Sequence, residues 1–230
     1  MVDTPARAPA QDPVRHTVVP AAGAPMGAVV PAAGAPVAAI VLTGGRSRRM
    51  GFDKATILVE GAPLAARVAA CVAGSVDGPV VEVGPGVAGC VHVTREEPAG
   101  DGPLAATLAG ARFLASLGHQ GPVVVMACDM PLVDPALVRL VAGHPGDGSV
   151  VPVVDGQPQP LCARWSPAAL AAGRDALADG QRSMRPLLAY GDAVLLEEPS
   201  WRGIVAKDAF ADVDTPAALA DLGVKWLPAQ

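Results

Sequence analysis

Little in this sequence is aromatic: Phe, Tyr and Trp together make up 3% of the 230 residues, so a core has to be built from Val, Leu and Ala. Basic charge is not in excess either. Lys and Arg number 17 against 22 Asp and Glu, a net charge of −5, which excludes the broad basic face that grips a polynucleotide. Arginines that bind phosphate here must do so locally. Paired cysteines are also missing. Cys71, Cys90, Cys128 and Cys162 lie far apart with no C-x-x-C and no histidine at ligand spacing, which argues against a disulfide framework or a zinc site and for thiols in a cytoplasmic protein. The four histidines are scattered in the same way.

Charge is absent altogether from residues 18–44, long enough to resemble a membrane span. The prolines exclude one. "VVPAAGAP" occurs at 18–25 and again at 29–36, placing Pro20, Pro25, Pro31 and Pro36 where a spanning helix needs unbroken backbone hydrogen bonds. Asp3 and Asp12 precede the segment without a clean apolar run to a cleavage site, so a secretory signal does not fit. Residues 1–36 read as a disordered Pro/Ala/Gly-rich tail with a tandem repeat, and 37–225 as the folded domain.

From Val37 the chain alternates short apolar strands with alanine-rich helical stretches, the pattern of a mostly parallel sheet covered on both faces. Strands are expected at 37–42, 79–83, 90–93, 122–127 and 193–198. Helices are expected at 63–73, with Pro63 in the first helical position, at 103–117, at 134–142 with Asp134 as cap, and after "VDTP". Strands 149–154 and 160–165 flank "DGQPQ" as a hairpin, an antiparallel insertion. The fold class is α/β, a Rossmann-like three-layer α/β/α arrangement.

Ligands of such sheets bind beyond the carboxyl ends of the strands. The first loop there, "TGGRSRRMGFDK", has Gly44, Gly45 and Gly51 to let backbone amides approach a phosphate chain, with Arg46, Arg48, Arg49 and Lys54 for charge. It contains neither G-x-x-x-x-G-K-[ST] nor G-x-G-x-x-G, which disfavours a P-loop NTPase or a nicotinamide enzyme. The loop "MACDMP" puts Asp129 at the end of an apolar strand, placed to hold Mg²⁺ or to cap a turn. In "FADVDTP", Asp212 and Asp214 alternate on an extended piece and so point the same way; Asp214 equally suits a cap for the helix that follows.

These residues carry a family resemblance. "LTGGRSRRMGFDK" resembles the L-[AT]-G-G-x-S-x-R-M-G-x-D-K signature of the molybdenum cofactor guanylyltransferases (MobA-like nucleotidyltransferases), and "GPLAAT", "CDMP", "QPLCARW" and "DVDTP" follow in the family's order over about 37–222. The resemblance implies that the backbone of Leu42, Thr43, Gly44 and Gly45 touches guanine and phosphates, that Arg49 and Lys54 grip the phosphates, and that Asp129 binds Mg²⁺, with Asp214 as a second metal candidate. It also implies an acidic nucleotide contact before "GPLA", where Glu96, Glu97 and Asp101 all qualify and Glu96 is favoured. "GQRSMRPLL" offers Arg182 and Ser183 to the acceptor's phosphate, or simply Ser183 as a helix cap. The family usually has Gly where this chain has Ala106, and many members have asparagine where "DVDTP" has acids.

The activity so implied is Mg²⁺-dependent transfer of GMP from GTP to molybdenum-bearing molybdopterin. The implied partners are these two substrates, and molybdoenzymes or other cofactor-biosynthesis proteins, without nucleic acid or membrane. The Gly44-Gly45 pair resembles the guanylyl branch. Two alternatives stay open: a cytidylyltransferase or other nucleotidyltransferase with a different small phosphorylated or alcohol acceptor, and a non-catalytic module that binds nucleotide or cofactor for delivery.

Overall fold

The computed structural model describes residues 36–44 and 54–227. The first strand, β1 (Ala38–Leu42), is buried along its whole length. A 3-10 turn (Lys54–Thr56) leads into a two-strand ribbon, β2 (Leu58–Val59) and β3 (Ala62–Pro63), and then into α1 (Leu64–Ala73). The strands β4 (Val80–Val83) and β5 (His92–Thr94), the helix α2 (Pro103–Ser116), the strand β6 (Val123–Ala127) and the helix α3 (Pro135–Ala142) follow. Beyond them lie β7 (Val150–Val154), β8 (Gln157–Pro158), β9 (Cys162–Trp165), α4 (Pro167–Ala178) and α5 (Arg185–Ala189). The chain continues through β10 (Val194–Leu196), α6 (Glu198–Trp201), a 3-10 turn (Lys207–Phe210), α7 (Pro216–Asp221) and β11 (Trp226–Leu227).

The main sheet runs β10-β7-β9-β6-β1-β4-β5, with β8 paired to β7. β1 lies parallel to both β6 and β4, and β4 parallel to β5. β9 is antiparallel to its neighbours β6 and β7, and the short β8 is antiparallel to β7, so two reversed strands interrupt an otherwise parallel sheet. Period-2 alternation divides the core in two. Ala39 and Val41 of β1, with Val124 and Met126 of β6, pack toward α1 and α3, while Ala38, Ile40, Val123 and Val125 pack toward α2, α4 and α5. Helix α2 lies very close to the sheet: a Cβ at Gly110 would stand 2.8 Å from Ile40 Cδ1. The three layers are those expected of a doubly wound sheet.

Local differences from the sequence expectations have local reasons. Pro63 ends in β3 and leaves Leu64 to open α1, because Leu58 and Pro63 pair across the ribbon. The turn after β7 is Asp155-Gly156, both at positive φ, and the strand it returns is the short β8; β9 reaches β7 only after a further loop. β5 begins at His92, two residues later than its apolar run, where Val81 supplies its first partner. β10 ends at Leu196 because Glu198 starts α6. Asp134 does cap α3, accepting from the Leu137 amide at 3.0 Å. Among the described residues no helix is long and apolar enough to cross a membrane.

Candidate functional site

The carboxyl ends of β1 and β6 open on a cavity of about 390 Å³. Leu42, Thr43 and Gly44 form one side of it, Lys54 and Asp129 another, and Glu96 with the first turn of α2 a third. Gly45, Arg46, Arg48, Arg49 and Gly51 lie outside the described residues.

The floor is tied down by hydrogen bonds at the strand ends. The amides of Thr43 and Gly44 both donate to Val83 O, at 3.1 and 3.2 Å, and the Cys128 amide donates to Leu42 O at 3.1 Å. These first two loop amides therefore fasten β1 to β4. The Thr43 hydroxyl donates to Glu82 Oε1 at 2.6 Å. Glu82 was not singled out from sequence, although a lone carboxylate in "VVEV" was the available signal. It is fully buried.

Opposite stands an acidic cluster. Cys128 and Met130, both buried, hold Asp129 between them at the end of β6. Val213 is buried and its amide donates to Asp129 O at 2.9 Å, which brings the flanking Asp212 and Asp214 together beside Asp129. The three carboxylates each offer an oxygen within 4.8 Å of the others. Asp214 does not cap α7; Thr215 does, accepting from the Ala218 amide at 3.2 Å. Hard oxygen donors in this number suit Mg²⁺, which takes one or two carboxylates and completes its shell with phosphate and water.

Lys54 is held over the same cluster because Ala55 and Ile57 anchor its turn in the core. Its ammonium lies 3.7 Å from Asp129 Oδ2 and pairs with Asp214. Burial pushes the Asp129 carboxyl above its usual range; Lys54 opposes this, and Asp212 and Asp214 add to it. A cation arriving beside Asp129 would relieve both the burial cost and the repulsion.

Of the three acids before α2, Glu96 lines the cavity, buried, with Oε1 accepting from the Gly100 amide at 2.8 Å. Glu97 is exposed, and Asp101 accepts from Arg182 Nε at 2.6 Å. Arg182 also donates to Leu177 O and Gln181 O, and neither Arg182 nor Ser183 lines the cavity. The Arg182 carbonyl does accept from the Leu104 amide at 3.1 Å, which places the segment behind the first turn of α2. Ser183 does not cap α5, whose preceding residue Met184 makes no side-chain cap. Ala106 lines the cavity from α2.

Residues 39–195 match the MobA-like NTP transferase domain. A probable molybdenum cofactor guanylyltransferase of Opitutus terrae is 34% identical over 174 residues, 70% of this chain and 85% of the relative. A molybdenum cofactor guanylyltransferase of Rhodobacter capsulatus is 31% identical over 186 residues, 78% of this chain and 90% of the relative. Among solved structures, the molybdopterin-guanine dinucleotide biosynthesis protein A of Archaeoglobus fulgidus shares the fold, with a TM-score of 0.64 at 23% identity over 80% of this chain and 95% of that one. With a matched domain spanning most of the chain and the carboxyl ends of its central strands opening on one cavity, the protein belongs to the MobA-like NTP transferase family of nucleotidyltransferase enzymes.

Proposed function

We propose that the protein transfers GMP from GTP to molybdenum-bearing molybdopterin, forming the guanine dinucleotide cofactor and pyrophosphate in a Mg²⁺-dependent reaction. The observation that carries this reading is the meeting of Asp129, Asp212, Asp214 and Lys54 at the mouth of a nucleotide-sized cavity. The names of the curated relatives support guanine and molybdopterin as the substrates.

An oxygen of the acceptor's phosphate attacks the α-phosphorus of the NTP, and the bond from that phosphorus to the bridging oxygen of the leaving pyrophosphate breaks. Repulsion among the anionic groups is the main obstacle, so catalysis is positioning and neutralisation. Asp129 and Asp214, with Asp212 beside them, would hold the metal, and Mg²⁺ bound there would supply positive charge at the phosphates. Lys54 on the cavity wall offsets further phosphate charge, and Arg49 is assigned the same task. The backbone of Leu42 to Gly45 and the Glu96 carboxylate receive the nucleotide, while Arg182 and Ser183 serve the acceptor side. A phosphomonoester is largely ionised near pH 7, so no general base is required.

The unit that does this is residues 37–225, with 1–36 as a tail outside it. All four cysteines are thiols, which supports a reducing, cytoplasmic setting. A melting experiment tests the nucleotide: GTP with Mg²⁺ should raise the melting temperature and CTP should not, because only a ligand that prefers the folded state stabilises it. An equal rise with CTP would overturn the choice of guanine, and a rise with CTP alone would favour cytidylyl transfer.

A further inference from the structure

Glu82 lies in the middle of β4, paired in register with Val41 of β1 on one side and Val93 of β5 on the other. Val81 and Val83 belong to the apolar cluster on the α2 face, so Glu82 points to the opposite face, the one that Val41 shares. A carboxylate at zero exposure in a strand this apolar needs donors. It has four. Oε1 accepts from the Thr43 hydroxyl at 2.6 Å and from the Gly86 and Val87 amides at 2.9 Å, and Oε2 accepts from the Ala88 amide at 2.9 Å. Three of these donors are successive amides of one loop, which folds back over the strand it has just left. The fourth belongs to the cavity.

Thr43 and Gly44 are held from a second direction as well. Their amides go to Val83 O, and Gly84 packs so tightly behind them that a Cβ there would stand 2.1 Å from Thr43 Oγ1 and 2.8 Å from the Gly44 nitrogen. The backbone of Thr43 is thus fixed by β4, but its side chain is fixed by Glu82 alone among the hydrogen bonds described. With its proton committed to Glu82, the hydroxyl oxygen presents only lone pairs to anything else.

We infer that Glu82 is a positioning residue for nucleotide binding: through Thr43 it sets the shape of the cavity floor and locks that floor to the loop Gly86–Ala88. The inference rests on the nucleotide-transfer reading above. Had the carboxylate only to satisfy the three loop amides, it would not need the Thr43 hydroxyl, and replacing that hydroxyl would leave nucleotide affinity untouched. Glu82 does not line the cavity, so its loss should appear in the KM for the nucleotide and only weakly in kcat.

Thr43→Val keeps the side-chain shape, removes the hydroxyl and leaves Glu82 its three amide partners, so the variant should fold. It is expected to raise the nucleotide Kd and KM about tenfold, the effect of one hydrogen bond to a charged group, with kcat within about twofold. Thr43→Ser restores the hydroxyl and should recover wild-type KM within about threefold. Glu82→Leu, which leaves the Thr43 hydroxyl no acceptor at this position, should raise KM at least as much as Thr43→Val, and the double variant should be no worse than Glu82→Leu alone, because both remove the same bond. Wild-type KM in Thr43→Val, or a Glu82→Leu that lowers the melting temperature without changing KM, overturns the positioning role alone. Absence of nucleotide binding by the wild-type protein overturns the functional reading itself, and with it any nucleotide for Glu82 to position.

Discussion

The Lys54 ammonium stands 3.7 Å from Asp129 Oδ2 while pairing with Asp214, so one cation serves two carboxylates that repel each other. Lys54 is only 14% exposed and Asp129 26%, which keeps the charges partly desolvated. The arrangement sets a competition: whatever divalent cation binds these carboxylates must share them with the lysine or displace it.

Asp129→Asn should therefore separate stability from activity. The folded carboxyl titrates above its unfolded value because burial outweighs the help from Lys54. An acid shifted in this direction favours folding when protonated, so its contribution is present below the unfolded value near pH 4 and is lost as pH rises through the folded value. Without metal, the asparagine variant should melt a few degrees higher than wild type at pH 8, with the gap closing as the pH approaches 4. Transfer should fall by about a hundredfold or more. Melting curves from pH 4 to 8 in chelator, with one activity assay, check both parts.

Metal should reverse that order. Mg²⁺ alone is expected to raise the wild-type melting temperature in a concentration-dependent way and to leave Asp129→Asn unmoved, with Asp212→Asn and Asp214→Asn in between. Chelator added to the Mg²⁺-loaded protein should return the curve to its starting point. Equal shifts in all four proteins would remove the cluster from consideration as a cation site.

Gly84→Ala should damage the cavity floor directly. The new methyl would occupy space now held by Thr43 Oγ1, at 2.1 Å, so Thr43 must leave Glu82 or β4 must move away from β1. The expected result is nucleotide affinity weakened about tenfold or more, and a melting temperature lowered by several degrees. Both are read in one nucleotide titration followed by thermal unfolding.

Arg164 predicts a stability effect remote from the cavity. Buried in β9, it donates to Ala142 O at 2.9 Å, His144 O at 2.6 Å, Gly146 O at 2.8 Å and Gly148 O at 3.0 and 3.1 Å, gathering the carbonyls at the end of α3. Burial pushes its guanidinium below the usual range, and Asp147 opposes that. Arg164→Met should cost about 3 kcal/mol in urea unfolding by leaving these carbonyls without a donor. Arg164→Lys should recover little, since an ammonium cannot reproduce the planar fork.

The parts of the fold that could be read from sequence are those whose signal is contiguous. The runs 37–42 and 122–127 gave the two central strands; Asp134 before Pro135 gave a cap, and the alternation in "DVDTP" placed Asp212 and Asp214 on one side of Val213. What escaped depends on distant partners. The small sheet pairs Leu58 and Val59 with Leu227 and Trp226, and two-residue strands carry no periodicity of their own. Glu82 gave no local sign of its role because its partner Thr43 lies 39 residues earlier. The tie between Arg182 and Asp101 crosses 81 residues and left no local signal either.

Pyrophosphate release tests the central claim most directly. Purified protein is given Mg²⁺ and either GTP or CTP, with and without molybdenum-bearing molybdopterin. The account predicts pyrophosphate from GTP only when the molybdopterin acceptor is present, at a rate lowered about a hundredfold or more by Asp129→Asn. Equal turnover with CTP, or release indifferent to the acceptor, would contradict it.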